Sequence, residues 1–551
     1  MNRRKFFFKK PVKKSSPKNL IFEPSDEYKT SICSVAYLGR KGYTIPKSAL
    51  EKQDEEFLRK DLFVKPEVHG VSYGAPDENA AFPVFRENNN KIYVPRFYGI
   101  QRYGPPHRSE IQDGDDIDVT FDKTLRDYQN DIIDKYMNYV NRPISNCENA
   151  VKASGGILEI YCGAGKTVMA LKIVSILKKK TLIIVHKEFL MNQWIERIEE
   201  FLPGATVGKI QGPMFDVEGK DIVIGMVQTL YDKEYPPEAF SCFGLTIIDE
   251  VHRIGSEQFS KTLFKTITPF MLGISATVDR KDNLTKILYM FIGEKIYSIK
   301  RDSEDAVCVR GIKYISNDPE FNETEMDFRG SPKYSTMISK LCEFGPRSDF
   351  IVRVIKDLID ENSEKQIMVL CHNRSLLTYL YDSIVHRGFA TVGYYVGGMK
   401  QKNLQETEEK NIVLATYAMA AEALDIKTLS TLVMITPKTD ITQSVGRILR
   451  MKHENPIIVD IIDAHDVFQK QWLQRKRYYK KCNYRIWETE STKYTNMSIE
   501  WSVNAVTEGV WKKAFEPKTG AVAKDEETSF DDPFQNSFQE KCLLDVSSLQ
   551  L

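Results

Sequence analysis

The chain has 551 residues, 42% of them hydrophobic, with 77 Lys and Arg against 76 Asp and Glu. That length exceeds what one hydrophobic core organises, so several domains are expected, and a net charge of +1 means that any nucleic acid must be held by a local groove rather than by a global positive field. The nine cysteines include no C-x-x-C pair, which argues against structural zinc and fits a reducing compartment, and no stretch reaches the roughly 20 apolar residues of a membrane span.

In chain order, residues 1–29 read as a basic flexible arm, because the first 18 carry eight Lys or Arg and no acid. That arm is either a nucleic-acid or localisation patch or a solubilising tail. Phe6-Phe7-Phe8 is too short for a signal-peptide core. Residues 30–118 mix short apolar stretches with turn residues and one helix near Lys47–Lys60, which predicts a small N-terminal accessory domain ending in the acidic connector Asp113-Gly114-Asp115-Asp116. From 119 to 300 short apolar strands alternate with longer helices, as in Thr181-Leu182-Ile183-Ile184-Val185 followed by Glu188 to Glu200. That alternation predicts an α/β domain with a parallel sheet covered on both faces. Residues 301–344 read as a linker, and the strand–helix pattern returns over 345–480, with strands such as Ile367-Met368-Val369-Leu370 and a helix at Thr439 to Arg450. Residues 481–551 read as a C-terminal extension with an acidic tail.

Cys162-Gly163-Ala164-Gly165-Lys166-Thr167 follows a strand and opens a helix, the context in which backbone N–H groups cradle phosphate. Here Gly163, Ala164 and Gly165 would wrap the phosphates of ATP, Lys166 would hold the β and γ phosphates, and the Thr167 hydroxyl would ligate Mg²⁺. The strict Gly-x-x-x-x-Gly-Lys pattern is broken by Ile160 at its first position. Asp249-Glu250 ends a hydrophobic strand that can reach the same crevice in a parallel sheet. Asp249 then becomes a carboxylate serving Mg²⁺ and Glu250 the base for the attacking water. Downstream, Arg447 and Arg450 stand three apart on one helix face, placed to neutralise charge on a transferring phosphoryl group, and Gln443 on the same segment is a candidate phosphate or water sensor. His186, His372 and His453 lie in no ligand-like cluster and read as structural.

Taken in order, these segments resemble the superfamily 2 helicases over residues 120–460, and within them the XPB-like group, the phage helicases of branched DNA and the poxvirus-type transcript-release helicases of large DNA viruses. The resemblance rests on Leu125 to Gln129, Thr181 to Trp194, Gly225 to Leu230, Asp249-Glu250-Val251-His252, Ser275-Ala276-Thr277, Ile367 to Arg374, Ala415 to Ile426 and Gln443 to Arg450. It implies two tandem RecA-like domains, an adenine contact from Gln129, nucleic-acid contacts from Gln228, Thr229 and Thr416, and coupling roles for His252, Ser275, Thr277 and Asp425. Ala423 stands where the group commonly has glycine, which leaves the local backbone geometry open.

The first reading is an ATP-dependent DNA helicase or translocase, with viral transcription as one setting. The alternatives are an RNA helicase or RNA-polymerase-associated transcript-release ATPase, and a catalytically inactive scaffold. The expected cofactors are ATP and Mg²⁺. The expected partners are DNA or RNA and the transcription machinery, with no membrane, in host cytoplasm, nucleus or virion. A basic aromatic run with Tyr478, Tyr479, Tyr484 and Trp487 is expected either to stack bases or to dock on the second domain.

Overall fold

A computed structural model describes residues 22–66, 81–142, 154–161, 163–236, 238–253, 257–279, 284–299, 306–328, 330–422, 426–449, 453, 455–494 and 510–517. The expected basic arm up to residue 21, the acidic tail, Cys162, Asp425 and Arg450 lie outside the described residues, as does the side chain of Gln443.

Among the described residues, two eight-stranded sheets organise the chain. In the first, the strand order is Met214–Phe215, Val207–Gln211, Ile222–Met226, Thr181–Val185, Leu245–Asp249, Phe270–Ser275, Ser154–Ile160 and Lys295–Ile299. All neighbours are parallel except the first pair. Every residue of Thr181–Val185 and of Leu245–Asp249 is buried, which is what helices on both faces of a parallel sheet require. One consequence matters for chemistry. Because the strands run the same way, the turns after Ile160, Val185, Met226, Asp249 and Ser275 all open on the C-terminal edge of the sheet.

The second sheet is ordered Val392–Tyr395, Ile412–Thr416, Gln366–Cys371, Leu429–Met434, Ile457–Asp463, Cys308–Tyr314, Arg485–Glu490 and Lys512–Phe515. Only the last pair is antiparallel. The chain is thus an α/β protein with two RecA-like parallel-sheet domains and a small N-terminal sheet. Part of the expected linker is corrected here. Cys308–Tyr314 lies inside the second sheet, and Met337, Ile338 and Leu341 of the helix Tyr334–Glu343 belong to its core. Arg310 hid that strand, since it breaks the apolar run; it is buried because Glu361 accepts its two terminal nitrogens at 2.7 and 2.8 Å. The expected C-terminal extension likewise contributes two strands, and Tyr479 and Tyr484 are buried in the second core, so at those positions docking is the reading that holds. Of the helix expected over Thr439 to Arg450, the described residues form it at Thr442–Arg447, with Ile448 and Leu449 in a turn.

The accessory unit begins with a helix at Asp26–Val35, capped by Ser25, and carries a five-stranded sheet. Gly99 lets its helix Arg96–Tyr103 press on Tyr43, since a Cβ there would lie 2.2 Å from the ring. Buried Arg96 donates to the carbonyl oxygens of Thr268 and Pro269 at 2.7 and 3.3 Å, fastening the unit to the first large domain.

Candidate active site

The phosphate-type loop is built by two glycines in left-handed conformations, Gly163 at φ 91° and Gly165 at φ 87°. Gly165 opens the helix Lys166–Leu177, and a Cβ on it would sit 2.4 Å from Gln129 Nε2. Gln129 is buried against this loop. Its Nε2 donates to the Ala164 carbonyl at 2.9 Å, its Oε1 accepts from Arg126 N at 3.0 Å, and Tyr128 donates to the same carbonyl at 3.0 Å. Gln129 therefore braces the loop itself, a contact that its expected adenine role did not include.

Lys166 Nζ lies 3.0 Å from Glu250 Oε1. The Leu245–Asp249 strand ends beside the loop, and Glu250 turns sharply out of it at φ 51°, a region that non-glycine residues seldom adopt. His252 Nδ1 lies 3.2 Å from Glu250 Oε2 and 2.8 Å from Ser275 Oγ. Since Ser275 Oγ donates to the Thr277 carbonyl at 2.6 Å, it accepts from His252, which assigns the ring proton to Nδ1. One polar chain thus runs Lys166, Glu250, His252, Ser275, Thr277. The carboxylates differ in tendency. Burial works to raise Glu250, but the Lys166 charge, with His252 close by, outweighs it and holds its carboxyl far below the usual range. Asp249 is pushed up to about 6, first by burial and then by the Glu250 charge.

Trp194 was the residue whose part the sequence reading missed. Its indole Nε1 donates to Asp249 Oδ2 at 3.0 Å, while Glu250 N donates to Oδ1 at 2.9 Å. A buried tryptophan needs an acceptor for its N–H, and that requirement was the available signal. Phe189, on the same helix Glu188–Phe201, packs against the second domain's core as well as the first. Replacing Trp194 with phenylalanine keeps most of the volume and removes the donor. It should weaken Mg²⁺–nucleotide binding about 10-fold, read by nucleotide titration at fixed Mg²⁺; an affinity unchanged within about 2-fold would contradict the assigned contact.

The oxygens of Thr167 and Asp249 suit a hard divalent ion, and Mg²⁺ commonly takes few protein ligands besides substrate phosphates. Among the described residues no group of three or more His, Cys, Asp and Glu could hold a metal ion.

The other expected residues fall on the same edges of the sheets. Gln228 Nε2 donates to the His186 carbonyl at 3.0 Å, and Thr229 Oγ1 accepts from Gly212 N at 3.0 Å. Thr416 ends its strand opposite Cys371, and the next residue, Tyr417, donates to the Thr436 carbonyl at 2.6 Å. Arg447 is buried at the end of its helix in the second domain.

With this geometry in place, the comparisons define the class. Residues 122–280 match the family described as type III restriction enzyme, res subunit, and residues 351–452 match the helicase conserved C-terminal domain. The chain belongs to the superfamily 2 helicases and is an ATP-dependent enzyme of that class. It is 34% identical over 460 residues, 81% of this chain and 85% of the relative, to "Putative ATP-dependent RNA helicase L396" of Acanthamoeba polyphaga mimivirus. It is 26% identical over 67% of this chain and 74% of the relative to "Putative ATP-dependent RNA helicase QP509L" of African swine fever virus (isolate Tick/South Africa/Pretoriuskop Pr4/1996). A shorter match, 34% identical over 31% of this chain and 35% of the relative, is to "DNA 3'-5' translocase XPB2" of Sulfurisphaera tokodaii. Among the described residues no helix is long and apolar enough to cross a membrane.

Proposed function

We propose that the protein is an ATP-driven helicase acting on RNA, with release of a transcript from an RNA polymerase as its narrower form. The observation that carries this reading is the similarity to L396, which extends over 81% of this chain and 85% of a relative named for RNA. It supports RNA over the DNA reading that the sequence alone put first.

In this reading Lys166 leaves Glu250 when ATP arrives and pairs with the β and γ phosphates, so binding itself unmasks the base. Glu250 then orients a water and takes its proton as the water oxygen bonds to the γ phosphorus. The bond from that phosphorus to the bridging oxygen breaks, and the electron pair leaves on ADP. Thr167 and Asp249 would hold Mg²⁺, which supplies charge neutralisation on the phosphates. Arg447 and Arg450 of the second domain neutralise the equatorial oxygens, and Gln443 senses the phosphate or the water. His252, Ser275, Thr277 and Asp425 relay the nucleotide state to Thr416, Gln228 and Thr229, which grip the nucleic-acid backbone through sequence-independent contacts. The close Lys166–Glu250 pair speaks against an inactive scaffold.

A DNA translocase is the second reading, favoured by the match to XPB2. Steady-state ATP hydrolysis with single-stranded RNA, single-stranded DNA, duplex DNA and branched DNA separates them. RNA is expected to stimulate turnover at least about 10-fold more than any DNA; stimulation by DNA alone would overturn the RNA reading.

A further inference from the structure

The strand that delivers the phosphate loop carries a carboxylate among apolar residues. Ile157, Leu158 and Ile160 are fully buried, yet Glu159 lies between them in a strand paired on both sides. Glu159 itself is only partly buried, yet even partial removal of a carboxylate from water costs free energy unless hydrogen bonds replace the lost hydration. Glu159 is so bonded, and its partners come from two other segments. Oε1 accepts from Val278 N at 2.9 Å, and Oε2 accepts from Ser298 Oγ at 2.6 Å and Lys295 Nζ at 3.1 Å. Burial alone would raise this carboxyl; the bonds from Ser298, Val278 and Lys295 prevail and hold it below its usual range.

The two segments have different histories in the fold. Val278 directly follows Thr277, the far end of the polar chain from Glu250 through His252 and Ser275. Ser298 and Lys295 belong to the edge strand Lys295–Ile299, after which the next described strand is Cys308–Tyr314, inside the second domain's sheet. We propose that Glu159 is a positioning residue for mechanical coupling: it ties the Ser275–Thr277 turn to the strand leading into the second domain, so that a change at the nucleotide site is passed across the domain boundary. The proposal rests on the helicase reading above and is indifferent to whether RNA or DNA is the track.

Glu159 bonds to Val278, Ser298 and Lys295 and takes no part in the hydrolysis step described above, which sets the expected pattern. In Glu159→Gln the shape survives and the charge pairing with Lys295 is lost. ATP hydrolysis without nucleic acid and the KM for ATP should stay within about 2-fold, while base pairs separated per ATP fall about 5- to 20-fold. Ser298→Ala, which removes one donor without stranding a charge, should give the same split at smaller size and keeps the test available if Glu159→Gln is unstable. Both are measured with whichever nucleic acid stimulates the wild type, beside a thermal melt. A proportional fall in basal hydrolysis and strand separation, or an unchanged yield per ATP in both folded variants, would overturn the coupling role. Absence of nucleic-acid stimulation in the wild type would instead count against the helicase reading itself.

Discussion

Replacing Glu250 with glutamine is expected to leave ATP binding within a few-fold of the wild type and to lower hydrolysis by about 10²- to 10⁴-fold, the range for loss of a general base. The amide keeps the shape of the side chain beside His252 but cannot take the proton from water. The outcome follows from position: Glu250 projects from the end of a buried strand at a left-handed φ of 51°, with Lys166 3.0 Å away, and in Glu250→Gln that lysine remains available for phosphate. Filter binding of labelled ATP beside single-turnover hydrolysis checks both halves. Loss of binding together with turnover would mean that Glu250 shapes the loop rather than the reaction.

The second large effect concerns the framework that carries the arginines. Arg347 and Asp463 are fully buried and paired twice, at 2.6 and 2.8 Å, and Arg347 also donates to the Ile435 carbonyl at 2.7 Å. This joins the helix Gly345–Glu361 to the strand Ile457–Asp463 and to the end of Leu429–Met434, from which the chain proceeds to Arg447. Arg347→Ala leaves Asp463 charged in the core and should cost about 3–5 kcal/mol, because breaking one side of a buried pair strands the other. For a domain of this size that lowers the second domain's melting midpoint by roughly 6–20 °C. Replacing both residues, with methionine at 347 and leucine at 463, should recover most of the loss, since the desolvated charge is then gone. Calorimetry on the full chain resolves this. A shift under about 2 °C in the single variant would show that the pair adds little to stability.

These pairs also explain which parts of the molecule could be read in advance. Thr181–Val185 and Leu245–Asp249 announce themselves as uninterrupted apolar runs, and the glycines with Lys166 and Thr167 mark the loop, because the chemistry of a phosphate cradle allows few alternatives at those positions. Cys308–Tyr314 does not announce itself. Its Arg310 looks like a surface residue until Glu361, far along the chain, is brought against it. Trp194 and Glu159 are obscured for the same reason: one reads as core filling and the other as a misplaced charge, and only tertiary contact with Asp249, Val278 and Ser298 gives them work. The adenine contact expected of Gln129 came from resemblance, whereas its brace on Ala164 depends on a loop conformation that only the folded chain specifies.

The central claim is that hydrolysis at the Lys166–Glu250 site drives strand separation. Displacement of a labelled strand from a tailed RNA duplex, by the wild type and by Glu250→Gln at equal concentration with ATP, tests it most directly. The account predicts displacement by the wild type that stops when ATP is replaced by a non-hydrolysable analogue and is absent in Glu250→Gln. Displacement that persists in Glu250→Gln would contradict it, because strand separation would then owe nothing to this site.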